Sequence, residues 1–146
     1  MKILIVASEF NDFITKPLVE GATATLKEAG LKEAEYPLVW VPGAFELPAV
    51  AARAARSNGF DAVICLGAVI RGGTPHFDYV AGEAAAGLMQ VSIETTVPIV
   101  FGVLTTDDTE QALARCGIKG GNKGVDAAKV ALQMIKVNAQ VDELAK

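Results

Sequence analysis

Four short runs of apolar, β-rich residues recur along the chain: Lys2–Ala7, Pro37–Val41, Ala62–Leu66 and Ile99–Leu104. Segments whose apolar residues return at helical spacing lie between them and after the last. Continuous apolar runs of this length fit strands buried on both faces. Strands separated by helices cross over into parallel neighbours, so the pattern predicts an α/β fold, a three-layer α/β/α sandwich around a central four-stranded parallel sheet. The first helix is expected over Lys16–Ala29, with Leu18, Ala22 and Leu26 on one face and Gly30 as its stop. Others are expected over Phe45–Arg56 and over Thr74–Glu94, where Phe77, Ala81, Ala84, Leu88 and Val91 recur at three and four. A short helix at Thr109–Cys116 and a longer one at Gly124–Val137 follow. No linker, repeat or low-complexity tract interrupts the pattern, so residues 1–146 are expected to form one domain.

The composition holds more apolar material than one such core can cover. Hydrophobic residues make up 51% of the 146, with 14 glycines in addition and only 21% charged residues. Part of that surface is expected to lie between subunits of a homo-oligomer. A net charge of -4 without runs of like charge argues against nucleic acid as a partner, because phosphate backbones select basic patches. The apolar start is too short for a signal peptide and runs into Glu9, Asn11 and Asp12 without a cleavage site. No stretch approaches the ~20 apolar residues of a membrane span, so no membrane partner is expected. Cys65 and Cys116 lack metal or redox spacing and read as buried free thiols in a reducing, cytoplasmic setting. One histidine and no cysteine cluster make a catalytic metal site unexpected.

In a parallel sheet of this type ligands sit beyond the carboxyl ends of the strands. The segments there are Ser8-Glu9-Phe10-Asn11, Pro42-Gly43-Ala44-Phe45-Glu46, Arg71–His76 and Thr105-Thr106-Asp107-Asp108. Gly72-Gly73-Thr74-Pro75 reads either as a turn with a Thr cap or as a backbone cradle for an anion at a helix start. His76, the only histidine, follows at once and is a candidate proton shuttle beside that anion. Phe10 and Phe45 are either core residues or rim aromatics able to stack on a planar ligand. Arg115 and Lys123 flank a glycine-rich loop; they are plain solvated charges or a grip for phosphate. Anion site and base together suggest an enzyme acting on a small phosphorylated substrate.

These segments resemble the lumazine synthase family of riboflavin biosynthesis over nearly the whole chain. The likeness rests on Phe10-Asn11, Pro42–Pro48, Ile70–Tyr79, Phe101–Thr105, Glu110-Gln111-Ala112 and Gly121–Gly124. It implies a flavodoxin-like fold and a transferase that condenses 5-amino-6-ribitylaminouracil with 3,4-dihydroxy-2-butanone 4-phosphate to 6,7-dimethyl-8-ribityllumazine, without metal or organic cofactor. It further implies that Phe10 stacks on the pyrimidine. Gly43, Ala44, Phe45 and Glu46 would meet the ribityl chain, with Ala68, Val69 and Ile70 also lining the substrate pocket. Gly73, Thr74 and Arg115 would hold the phosphate, His76 would move protons, and Lys123 would stand near the phosphate and the catalytic groups, so that His76, Lys123 and Arg115 form the catalytic set. Phe101 and Arg115 would come from a neighbouring subunit of a pentamer. Sixty-subunit icosahedral shells built of pentamers, and riboflavin synthase as a protein partner, belong to the same implication.

Two departures from the family's pattern carry expectations of their own. The sequence opens at Met1-Lys2-Ile3, at what resembles the second strand of most members, so an open sheet edge is expected. Ala114 precedes Arg115 where many relatives carry an acid, leaving Asp126 as the residue to help hold the arginine. Two other readings compete. A riboflavin synthase of the archaeal type would have no use for Arg115 and the glycine-pair anion site together. A catalytically silent or engineered cage or flavin-binding protein would have lost some of His76, Arg115 and Lys123.

Overall fold

The computed structural model describes residues 1–146. Its strands are β1 (Ile3–Ser8), β2 (Leu38–Val41), β3 (Ala62–Ile70) and β4 (Ile99–Thr106). Its helices are α1 (Asp12–Glu28), α2 (Leu47–Arg56), α3 (His76–Thr95), α4 (Thr109–Leu113) and α5 (Lys123–Leu144). The strands form one sheet in the order β2-β1-β3-β4 and every pairing is parallel, as the run pattern requires. The chain steps outward from β1 to β2, then reverses to β3 and β4. Crossovers of one hand therefore put α1 on one face and α2 and α3 on the other.

Alternate side chains of each strand feed the two cores. Ile3, Ile5, Ile64 and Leu66 pack with Leu18 and Leu26 of α1 and with Ala127, Ala128 and Ala131 of α5. Leu4, Val6, Val63 and Cys65 pack with Leu47 and Ala51 of α2 and with Ala84 and Leu88 of α3. The α1–α5 contact is close enough to demand glycine. A Cβ at Gly124 would run into the Leu18 carbonyl. Asn122 seals the same contact. Its Oδ1 accepts from the Gly124 and Val125 N–H groups at 2.8 and 3.3 Å, while its Nδ2 donates to the Pro17 and Cys116 carbonyls at 3.0 and 3.2 Å.

Element boundaries depart from the sequence reading where burial overrides local signals. α1 starts at Asp12 rather than Lys16 and carries Pro17 inside it. Ile14 and Thr15 are wholly buried, and that burial offsets the backbone bond the proline removes. Phe45 and Glu46 lie in a separate 3-10 turn, Ala44–Glu46, ahead of α2. α3 begins at His76, not Thr74; Pro75 takes the cap position, and Thr74 makes no cap. β3 and β4 run on to Ile70 and Thr106, and α4 stops at Leu113. α5 extends seven residues past Val137, where Val141 and Leu144 stand in the open and left no core signal to read.

Much apolar surface stays uncovered. Leu38, Val39 and Trp40 of the edge strand β2 are exposed, as are Tyr79, Met89 and Ile93 of α3 and Val130 and Met134 of α5. No helix is long and apolar enough to cross a membrane.

Candidate active site

The reversal of strand order leaves a crevice at the carboxyl ends of β1, β2 and β3, the position expected for a ligand site in such a sheet. A cleft of about 640 Å³ opens there, lined by Phe10, Asn11, Pro42–Glu46, Ala68–Ile70, Gly72, Thr74, His76, Phe77, Tyr79 and Val80. Three of its walls are tied by short hydrogen bonds. The Phe10 N–H donates to the Pro42 carbonyl at 3.0 Å, joining the β1 and β2 loops. Asn11, at φ 61 in the left-handed region that asparagine tolerates, donates from Nδ2 to the Ala68 carbonyl at 2.9 Å. This turn holds the Phe10 ring out over the cleft, 72% exposed, with Phe45 56% exposed across it. Both phenylalanines are rim residues, not core.

The loop from Arg71 to Pro75 closes the cleft's far side. Neither Gly72 nor Gly73 has a positive φ, and an added Cβ at either would meet nothing within 4 Å. The chain's own packing therefore does not require glycine at these two positions. Gly72 and Thr74 line the cleft while Gly73, between them, does not. The first turn of α3 has no side-chain cap; the Asp78 N–H donates to the Pro75 carbonyl at 3.0 Å, which leaves the His76 and Phe77 N–H groups for an anion. His76 opens that turn and is exposed.

Arg71 received no role from the sequence, yet it is the most connected charge here. Its Nε donates to Asp107 Oδ1 at 3.1 Å and its Nη1 to Asp78 Oδ1 at 3.3 Å, with the guanidinium 4.3 Å above the centre of the Phe77 ring. The hydrogen bond to Asp107, reinforced by Asp78, raises its pKa above the ordinary arginine value.

Phe101, Arg115 and Lys123 lie elsewhere. They line a second cleft of about 450 Å³ along the free edge of β4, with Asp126, Ala127 and Val130 of α5 as its other wall. Arg115 and Lys123 also share a smaller hollow with Ala114, Gly121 and Asp126. Arg115 donates from Nη1 to the Gln111 carbonyl at 2.7 Å. Asp126 pairs with Lys123, Nζ to Oδ2 3.8 Å, so the expected support of the arginine by Asp126 gives way to a backbone carbonyl one turn earlier. Within one chain the cations and His76 thus occupy different clefts.

The sequence profile of the 6,7-dimethyl-8-ribityllumazine synthase family matches residues 1–139, a span that contains both clefts. A protein of Protochlamydia amoebophila (strain UWE25) named 6,7-dimethyl-8-ribityllumazine synthase is 52% identical over 143 residues, covering 98% of this chain and 83% of that one. The chain belongs to the lumazine synthase family. It is accordingly a transferase of riboflavin biosynthesis. The family's substrates are small molecules, and its members are typically oligomeric.

The sequence had located every residue in these two clefts that carries a charge except Asp126, which it named only as a helper, but it missed Asn11 as a brace. Its signal was present in the Phe10-Asn11 pair at a strand end, since asparagine is among the few residues that sit easily at positive φ.

Proposed function

We propose that each active site is shared by two copies of the chain: one supplies the cleft from Phe10 to His76, its neighbour the β4 edge with Phe101, Arg115 and Lys123. The reaction is the family's condensation of 5-amino-6-ribitylaminouracil with 3,4-dihydroxy-2-butanone 4-phosphate. The observation that carries the shared site is the separation itself. Both clefts are open, the first rimmed by exposed Phe10 and Phe45 and the second by exposed Phe101, and each holds part of the groups the chemistry calls for.

The pyrimidine stacks on Phe10, its edge along Ala68, Val69 and Ile70, and its ribityl chain runs over Gly43, Ala44, Phe45 and Glu46. The 5-amino group attacks the ketone carbonyl, and loss of one water gives an imine. Phosphate then leaves by elimination. The ribitylamino nitrogen closes the ring onto the remaining carbonyl, and loss of a second water yields 6,7-dimethyl-8-ribityllumazine. The leaving phosphate is held by N–H groups at Gly73 and Thr74 and by Arg115 of the neighbouring copy, with Lys123 beside it. His76 moves the protons that imine formation and elimination require. Orientation of two reactants in one pocket supplies a large part of the rate.

The residues from 1 to 146 act as one domain in this reading, in the cytoplasm. The exposed apolar strips on β2, α3 and α5 support contacts between copies; the family resemblance makes that assembly a pentamer, with a sixty-copy shell and a riboflavin synthase partner as extensions that sizing of the protein alone and with that partner tests. The silent cage gains nothing from these observations, since His76, Arg115 and Lys123 are all present and exposed.

Mixing the protein with both substrates and following lumazine absorbance above the spontaneous rate tests the proposal. His76→Ala is expected to slow turnover roughly 10–1,000-fold, reaching into the lower part of the ~100–10,000-fold span typical of general acid–base catalysis because orientation of the reactants supplies the rest. Arg115→Ala is expected to raise KM for the butanone phosphate more than for the uracil. Loss of less than about twofold in the His76 variant would remove that residue from the chemistry.

A further inference from the structure

We propose that Arg71 is a positioning residue for His76, a strap that ties the first turn of α3 to the loop after β4. The inference rests on the reading of His76 as the proton-moving group. Arg71 leaves the end of β3 with its own N–H donating to the Thr106 carbonyl at 2.8 Å, so its Cα is fixed to the sheet. From there the guanidinium makes three contacts in three directions. Nε reaches Asp107 at 3.1 Å, Nη1 reaches Asp78 at 3.3 Å, and the planar face covers Phe77 at 4.3 Å. Phe77 and Asp78 are the two residues directly after His76. Asp107 is itself braced, its N–H donating to Gln111 Oε1 at 2.8 Å.

This assignment separates Arg71 from the role its place in the sequence suggests. A cation beside a glycine pair and an uncapped helix start looks like a phosphate ligand. Two carboxylates already claim its charge and two of its donor directions. Each ion pair alone is solvent-exposed and adds little stability. A planar fork held on two sides and stacked on a ring fixes orientation instead, which lysine cannot reproduce. Without the strap, the turn carrying His76 keeps the packing of Phe77 and Val80 on the core but loses its only side-chain tie to the loop after β4.

Arg71→Lys and Asp107→Ala test the strap, each compared with the parent for fold by circular dichroism and for assembly by sizing. Both are expected to lower kcat roughly 10-fold while KM for the butanone phosphate stays within about twofold, as for a misplaced catalytic group. In a His76→Ala background neither change is expected to cost anything further, because the group being positioned is gone. A raised KM with unchanged kcat would make Arg71 a phosphate ligand and overturn the proposal, and so would full additivity with His76→Ala. If Arg71→Lys does not assemble, Asp107→Ala alone decides, since it removes the acceptor at the β4 loop and leaves the Phe77 and Asp78 contacts in place. His76 is the only histidine, so its ring Cε1–H resonance is identified without assignment. That line is expected to shift or broaden in both variants, and an unchanged line would overturn the strap. This readout stands even if the parent protein fails to condense the substrates, in which case the functional reading fails and the strap is still decided.

Discussion

Co-assembling subunits that carry His76→Ala with subunits that carry Arg115→Ala tests where one active site ends and the next begins. His76 lines the cleft at the ends of β1, β2 and β3, and Arg115 lines the one along the free edge of β4. If each site takes its first cleft from one copy and its β4 edge from the neighbour, random mixing at equal amounts gives four kinds of site in equal number. One of the four joins an intact His76 to an intact Arg115. About a quarter of the parent activity should therefore return, although His76→Ala alone sits roughly 10–1,000-fold down and Arg115→Ala alone is slow at butanone phosphate concentrations below its raised KM. The reciprocal mixture separates the alternatives again. In an equal mixture of parent and double-variant subunits, about a quarter of all sites stay intact when sites are shared, and about half when each chain works alone. The assay is initial lumazine formation after co-expression, with tagged subunits used to verify that mixed particles formed. Recovery no greater than the mean of the two single-variant proteins, from verified mixed particles, would refute the shared site.

Gly124→Ala places a methyl against the Leu18 carbonyl, a backbone atom that cannot turn aside. Despite alanine's better helix propensity, overpacking of the α1–α5 contact should cost about 1–3 kcal/mol, and a thermal melt that is unchanged or raised would contradict the packing argument. Cys65 is buried in the sheet, and burial pushes its thiol from 9.0 up to about 12. The folded state therefore keeps this proton after the unfolded chain has lost it. Stability is unaffected by this group below about pH 9 and falls by ~1.4 kcal/mol per pH unit from there towards 12. Denaturant titrations across that interval should show a shallower decline for Cys65→Ala than for the parent, and equal slopes would remove Cys65 from the alkaline response.

The fold was legible because the signals that set it are local in sequence. Ile3–Ser8 and Ala62–Ile70 are apolar on both faces, and only a central parallel strand buries both. What local signals could not supply was the outcome of competition. The helical spacing of Leu18, Ala22 and Leu26 starts the first helix at Lys16, yet the buried pair Ile14 and Thr15 pulls α1 back to Asp12. Thr74-Pro75-His76 reads as cap and first turn, yet the helix accepts an uncapped start at His76. Both cases turn on burial or ligand space that the surrounding chain, not the segment, provides.

The candidate site was legible residue by residue but not as an arrangement. Phe10, Phe45 and His76 announced themselves by standing at strand ends, and topology alone brings those ends together. Arg115 and Lys123 follow a different rule, because they lie beyond the last strand, where no further crossover returns them to the β1–β3 crevice. Under the proposed shared site, another copy brings those cations to the crevice. The same geometry explains why so much apolar surface accompanies so small a core: Phe101 and Val130 flank the β4 cleft, both exposed in the single chain. Assembly and catalysis are then one requirement. A substitution that weakens the contact between copies should lower activity per chain on dilution, even though it touches neither substrate nor His76.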